Sequence, residues 1–158
     1  MIILLLLLAV LFIFLVGRFV MLGQQSRVGQ TPGLANGKLT YCPATPNCVC
    51  SEFPEDASHR VNAIQFTPDG ANNLPIIIKK IISDMQGKIV KEQDNYLAAT
   101  FSSALFGFVD DFEVRIDPQA RQIHLRSASR VGKSDLGVNR KRVEAFRKQL
   151  LLEIAVQE

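Results

Sequence analysis

The first 22 residues constrain the chain more than any other stretch. Residues 2–16 are unbroken apolar sequence, and after Gly17 and Arg18 the apolar run resumes through Leu22. That length is close to the roughly 20 residues a helix needs to cross the hydrocarbon core of a bilayer. A cleaved secretory signal is the competing reading. It would have a basic start, a shorter apolar core and a small-x-small cleavage site. Here the amino terminus supplies the only early positive charge, and Phe19-Val20-Met21-Leu22-Gly23 contains no Ala-x-Ala. No cysteine follows the run, which disfavours a lipoprotein anchor. The expectation is an uncleaved signal anchor, one transmembrane helix over 1–22 that joins the chain to a membrane through residues 2–22. Residues 23–40 are rich in Gly, Gln, Ser and Asn and read as a tether. Residues 41–158 read as one folded domain.

Two signals bear on which side of the membrane that domain occupies. Arg18, Arg27 and Lys38 all lie toward the carboxyl side of the span, and by the positive-inside rule they argue weakly for a cytoplasmic domain. The three cysteines, Cys42, Cys48 and Cys50, argue the other way. Pro43, Pro46 and Asn47 force a tight reversal between Cys42 and Cys48, and a short closed loop suits a disulfide, which persists in oxidising compartments. Cys50 competes with Cys48 for Cys42, so spacing alone leaves the pairing open. Free thiols are a second reading. A metal held by Cys42, Cys48, Cys50 and His59 is a third, but the Cys-x5-Cys-x-Cys spacing does not match the paired Cys-x2–4-Cys of structural zinc sites, so no metal and no cofactor is expected.

The remainder alternates between helical and strand periodicity. Cys50 to Gly70, with Pro54 and Pro68, reads as loop with one short extended piece over 61–66. Asn73 caps a helix whose first turn holds Pro75. Leu74, Ile77, Ile78, Ile81, Ile82 and Met85 form its apolar stripe, and Gly87 closes it. Four strands are expected over 88–92, 96–101, 108–116 and 121–126. The last two form a hairpin around a turn at 117–120. Pairing Ile116 with Arg121 sets Glu113 against His124, Phe112 against Leu125 and Asp111 against Arg126, which gathers apolar residues on one face and opposite charges on the other. A final helix from Asn139 to Val156 buries Val143, Phe146, Leu150 and Ile154. The fold class is α+β, with a two-layer arrangement. A four-stranded, mostly antiparallel sheet is covered on one face by two helices, and its other face is polar.

The net charge of +3 is unevenly placed: residues 126–148 hold eight Lys or Arg against Asp135 and Glu144. Such a patch suits an anionic ligand, a lipid headgroup or a protein partner. It is short, lacks interleaved aromatics and belongs to a membrane-anchored chain, so nucleic acid is not expected. Candidate ligand-binding residues are Asp110, Asp111, Arg126, Ser127, Ser129, Arg130, Ser134, Asp135, Asn139 and Arg140. Gly132-Lys133-Ser134 lacks the upstream glycine of a phosphate-binding loop, since Ser127 stands five residues before Gly132. The alternative is a hydrolase using Asp110 or Asp111 with Ser127, Ser129 or His124, although no Gly-x-Ser-x-Gly elbow surrounds any serine. The basic run Arg140-Lys141-Arg142 opposes the dipole of the final helix. Asp135, the acidic cluster or an external anion should offset it.

Several separated motifs carry a family resemblance. Cys42-Pro43, Pro46-Asn47-Cys48-Val49, residues 107–111 (GFVDD), residues 126–132 (RSASRVG) and residues 134–140 (SDLGVNR) resemble, in order, the domain of unknown function 1499 family. The likeness covers about residues 33–151. It implies a bacterial, exported or membrane-associated protein, and so an inner-membrane protein with its domain in the periplasm. It implies no activity and no catalytic residue. Members of that family often have Ser at the place of Cys50, and the resemblance therefore favours Cys42–Cys48 as the bridge.

Overall fold

The structure is a computed structural model that describes residues 1–67 and 73–155. Helix α1 spans Ile2–Val28. It is leucine-rich and proline-free, so every interior backbone group is satisfied within the helix, as a hydrocarbon environment demands. It is long and apolar enough to cross a membrane. It also continues six residues past Leu22, into the stretch that composition alone reads as a tether. Those residues pack. Gly23 and Ser26 are buried, the Ser26 hydroxyl donates to the Gly23 carbonyl (2.6 Å), and it accepts from the Val109 N–H (3.0 Å). A β-carbon at Gly23 would collide with the Phe106 carbonyl. A two-stranded hairpin follows, β1 (Leu34–Ala35) and β2 (Lys38–Leu39). Asn36 and Gly37 turn it with φ of 52° and 75°, the left-handed pair that a two-residue hairpin requires. Residues 23–40 are therefore a folded strap, with Leu39 fully buried.

The main sheet has six strands rather than four: β3 (Cys48–Cys50), β4 (Ile64–Gln65), β5 (Lys88–Gln93), β6 (Tyr96–Ser102), β7 (Val109–Asp117) and β8 (Gln122–Ser129). The path is β3-β8-β7-β6-β5, and β4 also pairs β8. All pairings are antiparallel. The two extra strands are two and three residues long, too short for alternation to register. Residues 68–70, where the expected loop ends, and Val156, the expected end of the last helix, lie outside the described residues.

Helices α2 (Leu74–Asp84) and α3 (Val138–Ala155) cover one sheet face. Their expected stripes, Leu74, Ile77, Ile78, Ile81 and Ile82 on α2 and Val143, Phe146, Leu150 and Ile154 on α3, pack with Leu97, Phe101, Phe112, Val114, Ile123 and Leu125 into one core. Met85 is only partly buried at its margin. Phe112 sits edge-on to Phe101 and tilted against Phe146, with ring centroids 5.8 and 5.0 Å away. Two details of α2 differ from expectation. The Asn73 side chain makes no cap bond; its carbonyl accepts from the Ile77 N–H instead. Gln86, not Gly87, takes the left-handed position (φ 65°). The Gln86 and Gly87 N–H groups donate to the Ser83 and Ile82 carbonyls, closing a Schellman motif. Gly87 is needed for space, because a β-carbon there would press on Phe101 and Ile82.

The β7–β8 register also differs. Asp117 pairs Gln122, Ile116 pairs Ile123, Arg115 pairs His124 and Glu113 pairs Arg126. The Asp117 carboxylate accepts from the Ala120 N–H (2.9 Å), and Arg121 adopts φ 53°. The turn therefore begins at Pro118 and ends at Arg121, one residue later than expected. Each residue keeps its face, because the partners slide by an even number of positions. Asp111 and Arg126, expected to pair, instead stand opposite Ala128 and Glu113.

The second sheet face is not open. Leu39, Cys50, Tyr96 and Ala98, with Cys42 and Phe53 against them, form a separate small core between the sheet and the chain from 39 to 53. The sheet centre is thus buried on both sides, by helices on one and by strap and loop on the other.

Candidate functional site

The polar residues singled out by sequence fall into two networks on opposite faces of β7 and β8. Beneath the strap, Asp111 and Glu113 project from β7 and Arg126 from β8. Glu113 is fully buried and accepts from three donors: the Arg126 guanidinium (2.9 Å), the Tyr96 hydroxyl (2.6 Å) and the Gly33 N–H (3.0 Å). Burial, and then the bond to Glu113, push the Tyr96 phenol well above its ordinary pKa. The Arg126 Nε is buried with no partner among the described residues. Asp111 is held by Arg130 through two bonds (2.7 and 3.0 Å), and Arg130 also donates to the Ser26 carbonyl (3.2 Å). The acid–arginine network thus clamps both the end of α1 and the strap onto the sheet. Further along β7, Arg115 donates two bonds to Glu52 (2.6 and 3.1 Å).

On the helix-facing side, Ser127, Ser129, Asn139 and Arg142 converge. The Asn139 amide oxygen accepts from the Ser127 hydroxyl (2.5 Å) and from Arg142 (2.6 Å). Its amide nitrogen donates to the Asn47 carbonyl (3.1 Å) and the Ser129 hydroxyl (3.0 Å). All of its side-chain valences are used, which is how a buried amide avoids a desolvation penalty. Arg142 also donates to Asp110 (2.8 Å) and lies 4.6 Å over the Phe101 ring. Asn47 reaches back to the Gly132 carbonyl (3.1 Å). This side chain is in the loop closed by the Cys42–Cys48 disulfide, so that loop, the 127–132 segment and the start of α3 are one connected unit.

The offset to the basic start of α3 comes from Asp135. Its carboxylate accepts from the Gly137 and Asn139 N–H groups (3.0 and 2.7 Å), an acid at a helix N-terminus. Ser134 is exposed and accepts from the Leu136 N–H (3.4 Å). Arg140 is not brought to the acidic strand. It donates to the carbonyls of Arg60 and Ser58 (2.8 and 3.3 Å).

His124 stands opposite Arg115, not Glu113. Its Nδ1 lies 3.3 Å from the Ser51 hydroxyl and 3.8 Å from Glu52. Burial lowers its pKa, with Glu52 opposing. Serine and carboxylate approach the same ring nitrogen, whereas a relay needs one on each. The metal reading of the cysteines is overturned, because Cys42 and Cys48 are bonded to each other and His59 is bonded to Asp56 (2.7 Å) and the Thr45 carbonyl (3.1 Å). Cys50 is a buried free thiol, its pKa pushed up to about 11 chiefly by desolvation.

One polar feature was missed by sequence reasoning. Just past the membrane-length part of α1, a groove of about 450 Å³ is lined by Arg27, Gln30, Thr31, Lys88, Lys91 and Arg130, among others. It holds four cations and no carboxylate in its lining. Its lysines come from β5, the edge strand, in a part of the sequence with no basic surplus, and only the fold brings them beside Arg27.

The fold defines an α+β domain on a single apolar helix. The sequence model of the family described as protein of unknown function (DUF1499) matches residues 38–150, and the chain belongs to that family. No curated protein matches the chain.

Proposed function

We propose that the protein is a single-pass, membrane-anchored binding module. Its domain lies in the periplasm of a bacterial inner membrane and holds an anionic ligand at the bilayer surface, a lipid headgroup above all. The observation that carries this reading is a groove with no carboxylate in its lining, where Arg27, Lys88 and Lys91 gather, beginning five residues beyond the apolar run. Arg126, Arg130 and Arg142, in the patch that composition points to, are already neutralised by Glu113, Asp111 and Asp110. Arg27 and Lys88 face no such acid in the groove. The disulfide supports the oxidising side of the membrane.

Hydrolysis at the serine cluster has weaker support. The Ser127 hydroxyl donates to the Asn139 amide oxygen and accepts from Arg142, and neither partner can take its proton.

The test is a titration of the full-length protein, in zwitterionic detergent, with a short-chain phosphatidylglycerol and with the matching phosphatidylcholine. Saturable, preferential binding of phosphatidylglycerol is expected. It should weaken about tenfold or more in Lys88→Gln/Lys91→Gln, at about 1 kcal/mol for each lost cation. Equal binding of both lipids, or undiminished binding by the variant, contradicts the reading.

A further inference from the structure

The loop between β6 and β7, residues 103–108, runs alongside α1. Phe106 stacks on Phe19 with ring centroids 5.3 Å apart, and Phe108 meets Phe19 edge-on at 6.3 Å. Phe106 and Phe108 also contact each other at 6.1 Å. The Phe106 carbonyl fills the space that a side chain at position 23 would need, and the Arg27 guanidinium covers Gly107. The loop is therefore fixed along one face of α1 from Arg27 back to Phe19. Phe19 lies three residues inside the apolar run, about 4.5 Å below its end at 1.5 Å per residue. The 21 residues of that run, at the same rise, span about 31 Å, close to the thickness of a hydrocarbon core.

The tip of the loop is apolar and uncovered. Leu105 is 81% exposed, and no charged residue occurs between Asp94 and Asp110. Each β7 residue beyond Val109 carries the chain away from this end, so the turn at Pro118 lies at the opposite end of the sheet, about 31 Å distant at 3.4 Å per residue. An exposed leucine and two aromatic rings held at the level of Phe19 are what the boundary zone of a bilayer accepts, where aromatic side chains collect.

We infer that the β6–β7 loop enters the outer layer of the same bilayer that α1 crosses, with Leu105 and Phe106 at the depth of Phe19. The inference rests on the reading that α1 spans the membrane. The bilayer is the occupant because the loop is continuous with the surface that α1 presents to lipid. Seated this way, the domain stands on two supports, helix and loop, and the Arg27–Lys88–Lys91 groove lies at headgroup level.

The chain contains no tryptophan, so a single substitution creates a unique reporter. Full-length Leu105→Trp, Leu8→Trp and Gln119→Trp are reconstituted into phosphatidylcholine–phosphatidylglycerol vesicles with and without lipids brominated along the acyl chain. Leu105→Trp should emit in the blue and lose most of its intensity to brominated lipid. Leu8→Trp, well inside the span, should do the same, and Gln119→Trp should not. Quenching of Leu8→Trp without quenching of Leu105→Trp overturns the inference and leaves the span intact. Blue emission from Leu105→Trp without quenching also overturns it, because the loop is then covered by protein. Absence of quenching in both Leu8→Trp and Leu105→Trp overturns the span and the inference together.

Discussion

The two faces of strands β7 and β8 are buried by different means. Toward the helices, Phe112, Val114, Ile123 and Leu125 meet the stripes of α2 and α3 in an apolar core. Toward the strap, Glu113 accepts from Arg126 and Tyr96 of the sheet and from the Gly33 N–H of the irregular chain, in hydrogen bonds of defined geometry. An apolar face tolerates any complementary apolar cover. A face with a buried carboxylate requires that each donor arrive in place, because an unpaired charge costs several kcal/mol. Around Phe112 the helical side is therefore held by area, and around Glu113 the strap side is held by pairing.

The largest expected effect that separates the two comes from Glu113→Ala. It strands Arg126, the Tyr96 hydroxyl and the Gly33 N–H at once. Unfolding of the detergent-solubilised full chain in urea should show a loss of about 3–5 kcal/mol. Replacing Glu113 and Arg126 together by Leu and Met should recover much of it. No recovery would mean that the strap side depends on more than this pair.

Phe112→Ala on the helix side should cost about 3–5 kcal/mol through transfer and cavity terms. No partner substitution should rescue it, since no charge is left behind. Rescue by a charged residue at a neighbouring position would break the distinction between the faces.

A smaller and sharper effect concerns Cys50, at the strap-side core. The unfolded thiol ionises near its ordinary value of 9.0, and the folded one at about 11. Between those values the unfolded state binds fewer protons, so stability falls as pH rises, by up to about 1.4 kcal/mol per pH unit. Below pH 9 the contribution is fully present. Cys50→Ala should lack this slope when denaturation midpoints are compared across pH 8–11. Identical slopes would mean that Cys50 is not held in an apolar environment.

The same contrast explains what could be read from sequence. The stripes of α2 and α3 were legible because area-driven burial leaves a period, and Ile77, Ile81, Phe146 and Leu150 are all where the period puts them. The strap was not, because residues 23–40 are held by single contacts, such as the Ser26 hydroxyl on Val109 and the Gly33 N–H on Glu113. Only Asn36-Gly37 advertised its hairpin, through a pair suited to left-handed φ. In the charged cluster, the kind of pairing was legible but the partners were not. Asp117 fixes the turn one residue late, which passes Arg126 from Asp111 to Glu113 and leaves Asp111 to Arg130. The groove at Arg27, Lys88 and Lys91 joins residues some 60 positions apart, and no local pattern marks it.

The central claim is that the buried Glu113–Arg126 pair of β7 and β8 holds the fold together. A double-mutant cycle on Glu113→Gln and Arg126→Gln, read by urea unfolding of the full chain, tests it most directly. The account predicts a coupling energy above about 1.5 kcal/mol, the scale of close, desolvated charge pairs. Additivity within about 0.5 kcal/mol would show that the pair does not hold the fold and would contradict the claim.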